Sequence, residues 1–465
     1  MVSHTKKIVI IGGGITGLTT AYYLQKQKDV EITIVEASHK LGGKIRTEYK
    51  DGFVIERGPD SFLERKTSAS ELAHDLGIEH QLVRNEVGLA YVLVNDQLHP
   101  MPAGAVMGIP TQLQSFLKTN LFSVQGKLRA GFDLVLPRSH ASGDQSLGLF
   151  FRRRLGDEVV ENLVEPLLSG IYAGDIDQLS LMSTFPQFSK VEKEHRSLIL
   201  GMKKTTQEAK KTQLQAKTQG KFLTLNGGLQ QFVDAFEEQL EDVNIVKGIR
   251  VVTLDQQASG AYELQLSNGQ MLEADQVVLT VPHFTLTNLL PEEITAAEKF
   301  RHIPSTSVAN VAMAFDEADI NNELNGTGFV VSRNSNYTIT ACTWTHKKWP
   351  HTTPDGKVLL RCYVGRAGDE TVVDLSDDEI EKIVLADLKE TMGIEAKPQF
   401  TIITRLHQAM PQYLVGHQEK VSELKKQLKE HLPGVHIAGM SYDGIGLPDC
   451  IKQGMEVAKT ILSQE

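Results

Sequence analysis

The stretch KKIVIIGGGITGLTTAYYL, residues 6 to 24, sets an apolar run against three consecutive glycines, a fourth glycine three positions on, and a helix-like pattern. Gly12, Gly14 and Gly17 form G-x-G-x-x-G directly after a run that reads as a buried strand and at the start of a helix. EITIVEAS supplies a second strand, so residues 7 to 38 read as one βαβ unit. In such a unit the first glycine permits a tight turn, the second lets the backbone close on a pyrophosphate, and the third lets helix and strand pack closely. Unpaired amides and the positive end of the helix dipole then hold the phosphates, with Gly13, Ile15 and Thr16 completing the cradle. Taken alone, the triplet is equally compatible with a structural turn. Glu36 shifts the balance. It ends the second strand 19 residues past Gly17 and is followed by Ala37. A carboxylate there can accept hydrogen bonds from both ribose hydroxyls and repels a 2′-phosphate, which disfavours NADP.

A chain of 465 residues is too long for one core, since single cores stop growing near roughly 250 to 300 residues. The composition, 41% hydrophobic and 23% charged, is that of a soluble globular protein, and the net charge of −10 argues against a nucleic-acid binder. No run of about 18 apolar residues is present, and the strand pattern starts too early for a signal peptide, so a cytoplasmic location is expected. Peripheral contact with a membrane surface is compatible with these features. Cys342, Cys362 and Cys450 lack the spacing of a zinc site or a disulfide framework and read as buried thiols. His346 and His351 have no partner cluster for a metal, and Trp344 and Trp349 read as core or pocket wall.

Along the chain, residues 110 to 210 turn helical, residues 203 to 221 read as a solvated helix or linker, and Asn268-Gly269 marks a hairpin. Strand-like alternation dominates 306 to 365, and a helix is expected near 377 to 391. The end, GVHIAGMSYDGIGLPDCIKQGMEVAKTILSQE, again reads strand, glycine loop, helix. The expected fold class is therefore α/β: a Rossmann-type dinucleotide-binding domain assembled from residues 1–85, 222–285 and 400–465. Between these segments lie an inserted helical domain, 110–210, and an α+β substrate-binding domain, 86–109 and 286–399.

Two features separate FAD from NAD. LGGKIRT places Gly42, Gly43, Lys44 and Arg46 six to ten residues beyond Glu36, where two glycines and a cation can wrap the pyrophosphate from the side opposite the helix. In SYDGIGLPDCI, Gly444, Ile445 and Gly446 precede Pro448, a residue favoured in the first turn of a helix. A second helix N-terminus could thus face the far end of the cofactor, where reduced flavin carries negative charge. With the fingerprint, these point to non-covalent FAD.

The interior is more specific. ERGPDSFLERK (56–66), MPAGAVMGIPT (101–111), FFRRRLGDEVVENLVEPLLSGIYAGD (150–175), TLNGGLQ, MPQYLVGH (410–417) and GLPDCIKQG resemble the porphyrinogen oxidases of the protoporphyrinogen oxidase and flavin amine oxidase superfamily. They resemble most closely the Gram-positive branch that acts on coproporphyrinogen III, and the similarity runs over essentially the whole chain. The resemblance implies a six-electron oxidation of a porphyrinogen in haem biosynthesis, in three two-electron steps, with molecular oxygen as acceptor; a ferrochelatase is the implied recipient of the product. It carries FAD contacts to Gly12, Gly14, Gly17, Glu36, Gly43 and the segment Gly58, Pro59, Asp60, Ser61. Val251 matches the position whose backbone meets adenine, and Gly444 to Gly446 match the flavin-end loop. The commonest family form has Arg directly after the glycine pair, where this chain has Lys44, so either Lys44 or Arg46 is the cation at the phosphates.

On the substrate side, Gly170 matches a glycine whose carbonyl is thought to accept a pyrrole N–H, with Ile171 beside it; read locally, SGIYAG ends a helix with glycine. Lys66 matches a position tied to propionate binding, its other reading being a solvated loop lysine, and Arg65 is the neighbouring candidate. Arg152, Arg153 and Arg154, followed by Asp157, Glu158 and Glu161, read as i,i+4 pairs on a solvated helix face rather than as a propionate clamp. A flavin amine oxidase, a carotenoid or phytoene desaturase and a flavin-holding scaffold without turnover are the competing readings. Met440 and Ser441 stand where covalently flavinylated amine oxidases carry cysteine.

Overall fold

The first strand, Lys6–Ile11, pairs in parallel with Val30–Glu36 on one side and with Gln276–Leu279 on the other; Val243–Lys247 and Val435–Ile437 complete a five-stranded parallel sheet. Alternation along these strands divides the side chains between two cores. Ile8, Ile10, Ile32 and Ile34 face one core with the helices Ile15–Leu24, Gln230–Gln239 and Leu447–Leu462. Val9, Ile11, Val35, Val277 and Leu279 face the other, with Leu286–Leu289, Thr295–Arg301 and Val421, Leu424 and Leu428 of the helix His417–His431. Apolar side chains on both faces are what a parallel sheet covered by helices requires. The structure is a computed structural model describing residues 5–86, 88–139, 143–212, 220–320 and 325–463.

The chain divides into two units. The first contains residues up to Arg84, Lys221–Ile303 and Gln418 onward, and the second contains Asn85–Gly220 and Pro304–His417. The first unit is drawn from three stretches of chain, with edges that differ from those expected of the α/β domain. Residues 286–303 belong to it because their helices cover its second core. Residues 400–417 do not, because Phe400–Pro411 pairs along its length with Ser305–Asp316 of the second unit.

The second unit holds a seven-stranded sheet in the order Phe400–Pro411, Ser305–Asp316, Lys357–Val364, Ile339–Trp344, Gly326–Val331, Leu89–Val94 and Gln97–Pro100. The helix Asp377–Met392 buries Ile380, Val384 and Leu388 in the same core as Trp344, Cys342 and Cys362. Helices between Leu113 and Thr212 belong to this same unit, so the expected helical and α+β domains form one body. Part of the expected linker, 213–219, lies outside the described residues. No described helix is long and apolar enough to cross a membrane.

The arginine run departs from its expected role. Arg152 pairs with Asp157 at 3.3 Å and Glu161 at 3.1 Å, and also with Asp177 at 3.0 Å. Arg153 turns to Glu192 at 3.0 Å, and Arg154 is fully buried between Glu192 and Asp133. Successive residues on the helix Leu147–Leu155 point about 100° apart, so three adjacent arginines cannot share one solvated face.

Candidate active site

Each fingerprint glycine meets a different constraint. Gly12 has φ +109°, and a Cβ there would stand 2.6 Å from Thr280 Oγ1. A Cβ on Gly17 would overlap Gly12 O, so helix and strand touch backbone to backbone. A Cβ on Gly14 would meet nothing within 4 Å. The helix Ile15–Leu24 starts at Gly14 with no side-chain cap and no acid in its first turn, leaving its N-terminal amides open to an anion. Tight turn, open approach and close packing coincide with what a dinucleotide needs of these three positions. Ile15 and Thr16 are buried in the first helical turn.

Glu36 ends its strand as expected. Its Oε2 accepts from Gly13 N at 2.6 Å and its Oε1 from Ser38 N at 2.7 Å, which orients the carboxylate beside the glycine loop. Ala37 is exposed next to it. Gly248 N donates to Ser38 O and Ile249 N to Glu36 O, drawing the segment that leads into Val251 to the same strand end. The second glycine pair packs onto the first loop: Gly42 N donates to Gly13 O at 2.8 Å, and a Cβ on Gly43 would lie 3.3 Å from Gly14 Cα. Gly58, at the head of Pro59, Asp60 and Ser61, approaches Lys44 O so closely that no Cβ fits. Ser61 Oγ in turn donates to Asp60 Oδ1 at 2.7 Å.

The two cations after the glycine pair diverge. Arg46 is exposed, whereas Lys44 runs inward until its Nζ lies against Met440 Sδ, at the edge of the C-terminal glycine loop. Burial lowers its ammonium to about 8, opposed by the nearby Cys450 thiol. Cys450 itself is pushed up to about 11, chiefly by burial, so it is a protonated packing residue and not a thiolate nucleophile.

Gly446 caps the helix Leu447–Leu462 without a side-chain bond, Pro448 sits in its first turn, and Gly444 has φ +115°. Asp449 fills the same first turn, and Lys66 Nζ donates to both its oxygens at 2.7 and 2.5 Å. Lys66 is therefore an ion-pair partner at a helix N-terminus rather than a solvated loop lysine, whereas Arg65 is exposed. One further residue that sequence reasoning did not single out supports the loop. His283 is buried, with Nδ1 3.2 Å from Ser441 Oγ and Nε2 3.0 Å from Ile303 O. Burial holds its pKa below the ordinary imidazole value, so it is neutral. The only sequence signal was a polar residue, PHF, directly after an apolar strand.

In the second unit, Gly170 and Ile171 lie within the helix Glu165–Tyr172, not at a glycine terminator; the left-handed residue after the helix is Ala173, φ +49°. Gly170 is exposed, Ile171 is 47% exposed, and a Cβ on Gly170 would meet nothing within 4 Å. The Gly170 carbonyl belongs to the last helical turn, where no intrahelical N–H remains to bond it.

A glycine loop on a parallel sheet, a carboxylate at the end of the second strand and a second glycine loop leading into a helix are the frame of a dinucleotide-binding fold. Residues 15–462 match the flavin containing amine oxidoreductases, and the chain belongs to that family, within a group of full-length porphyrinogen oxidase relatives. It is 56% identical over 463 residues to coproporphyrinogen III oxidase of Bacillus subtilis, covering 98% of both chains. It is 45% identical to that of Staphylococcus aureus, covering 99% of this chain and all of the other. A solved structure from Exiguobacterium sp. 255-15, described as a protoporphyrinogen oxidase, superposes with a TM-score of 0.89 at 39% identity over 99% of each chain. The cofactor is FAD, and the glycine cradle fits it.

Proposed function

We propose that this chain oxidises coproporphyrinogen III to coproporphyrin III, with three molecules of oxygen taking six electrons and six protons to give three of hydrogen peroxide. The carrying observation is the 56% identity to the Bacillus subtilis coproporphyrinogen III oxidase over nearly the whole of both chains. Bound FAD supplies a hydride acceptor that oxygen restores. The chain's own residues supply position. Gly12 to Gly17 and Gly43 hold the pyrophosphate and Glu36 the ribose, the backbone at Val251 meets adenine, Gly58 to Ser61 contact the cofactor, and Gly444 to Gly446 close on its reactive end. On the substrate side, the Gly170 carbonyl accepts a pyrrole N–H in the space its missing side chain leaves, beside the exposed face of Ile171. A carbonyl is an acceptor and a poor formal base, so gain of conjugation drives each step, and orientation is the protein's contribution. Lys66 and Arg65 are the first unit's candidate cations for substrate carboxylates; for Lys66, substrate must compete with Asp449.

A second reading, protoporphyrinogen IX as substrate, draws on more distant relatives such as the 29% identical chloroplastic enzyme of Nicotiana tabacum. Anaerobic addition of coproporphyrinogen III to the yellow enzyme should bleach the flavin, and air should restore it, with a higher kcat/KM than for protoporphyrinogen IX. Absence of bleaching by either compound rejects the porphyrinogen reading, and a clear preference for protoporphyrinogen IX replaces the substrate.

A further inference from the structure

The second unit contains an arginine whose hydrogen-bonding capacity is left unused by the protein. Arg366 follows the strand Lys357–Val364 in a turn between Gly365, φ +89°, and Gly368, φ +82°. The turn is pinned at three points. Arg366 N donates to Asp369 O at 3.2 Å, Ala367 N to Ala173 O at 2.9 Å, and Arg333 Nη2 to Ala367 O at 2.8 Å. Arg333 is itself committed, with Glu165 at 3.3 Å and Asp175 at 3.5 Å. The Arg366 guanidinium is different. Its side chain is 21% exposed, yet among the described residues it makes no hydrogen bond, and its one ion pair within 4 Å is with the exposed Asp369, 3.7 Å from Nε.

A partly exposed guanidinium with five donors, none of them bonded to the described protein, presents them to solvent or to an anion. Burial and the adjacent Arg333 both disfavour its charge, and Asp369 and Glu165 offset this only in part. An added anion would relieve that imbalance. The place is specific as well: Ala173, bonded to the turn, is three residues from Gly170 at the end of the helix assigned above to the pyrrole. A planar fork matches a carboxylate in bidentate fashion.

We propose that Arg366 is a substrate carboxylate receptor and determines specificity for a tetrapyrrole bearing propionates beyond the two that protoporphyrinogen carries. The assignment rests on the porphyrinogen reading and deepens it. A coproporphyrinogen brings four carboxylates and a protoporphyrinogen two, so a cation beside the macrocycle site can meet a group that only the first possesses. Arg366 acts on binding and takes no part in bond making.

Arg366→Gln leaves a shorter polar side chain and removes the charge and the fork. In FAD-loaded enzyme of unchanged flavin content, KM for coproporphyrinogen III should rise at least tenfold with kcat within threefold, while KM for protoporphyrinogen IX moves less than threefold. Fluorescence titration with the products provides a second readout: the variant should lose at least tenfold affinity for coproporphyrin III and none for its tetramethyl ester. Arg366→Lys should recover only part, having lost the fork. An unchanged KM and affinity for the free acid overturn the assignment, as does an equal loss for the ester. Wild-type enzyme that binds and oxidises neither porphyrinogen overturns the parent reading, and this one with it.

Discussion

A methyl group added at Gly17 and one added at Gly14 probe different physics. At Gly17 it collides with the carbonyl of Gly12, which cannot move without opening the contact between the first strand and its helix. Gly17→Ala should therefore destabilise even FAD-depleted protein by about 1–3 kcal/mol, as overpacking does. At Gly14 the methyl enters empty space at an N-cap, with φ −75° already suited to alanine. Gly14→Ala should change the stability of depleted protein by no more than about 1 kcal/mol. It should still weaken FAD binding at least about tenfold, or about 1.4 kcal/mol, on the proposed approach of the pyrophosphate to this position. Urea unfolding of depleted protein and flavin fluorescence titration separate the two; equal effects of both substitutions would refute the division of roles. These roles were legible in the sequence because each depends on neighbours within one βαβ unit. The partner of Lys66 was not, since Asp449 lies 383 residues away. The commitment of Lys44 to Met440 rather than outward was hidden for the same reason.

Among the elements, those governed by local rules were readable. The hairpin at Asn268-Gly269 forms between Tyr262–Leu266 and Met271–Ala274, with Gly269 at φ +85°. The helix expected near 377 to 391 spans Asp377–Met392, opened by a Ser376–Glu379 capping box and closed by Gly393 at φ +68°. Elements whose sides are set by distant packing were misread. Arg154 looked solvated because acids follow it in sequence, while its partners, Asp133 and Glu192, come from other helical segments. The C-terminal helix combines both situations: Pro448 and Gly446 announce its start, but Lys66 completes it. An ammonium on an acid in the first turn offsets charge that the helix dipole would otherwise hold alone. The pair is partly exposed, 39% for Lys66 and 25% for Asp449, which limits its strength. A double-mutant cycle with Lys66→Met and Asp449→Asn should give a coupling of about 0.5–1 kcal/mol in denaturant unfolding of FAD-loaded enzyme. Additive single effects would mean that the two side chains do not hold each other in solution.

For the molecule as a whole, the decisive feature is that the α/β unit draws its sheet from three stretches of chain, and its first and last helices are in backbone contact. Strand-glycine-helix patterns at both ends of the sequence pointed to this assembly, because each end alone would leave an apolar sheet edge uncovered. The edges of the units were less legible, since Phe400–Pro411 reads as a strand whichever sheet receives it. Contact between the helices rests on Gly454. Thr20 Oγ1, which donates to Thr16 O at 2.9 Å, lies 3.4 Å from Gly454 O across 434 residues, and a Cβ on Gly454 would stand 2.7 Å from Thr16 O and 2.9 Å from Thr19 Cβ. In an isolated helix Gly→Ala stabilises by about 1 kcal/mol. Here it must separate the C-terminal helix from the helix that opens at the phosphate loop. Gly454→Ala should therefore destabilise the enzyme by about 1–3 kcal/mol despite the better helix former. It should also release FAD at a lower temperature than wild type, because displacing Thr16 disturbs the first turn of the cradle. Thermal release followed by flavin fluorescence, alongside denaturant unfolding, reads both effects. A more stable alanine variant would show that the two ends of the chain do not pack this closely, and the shared support for the phosphate loop and the C-terminal glycine loop would be lost with it.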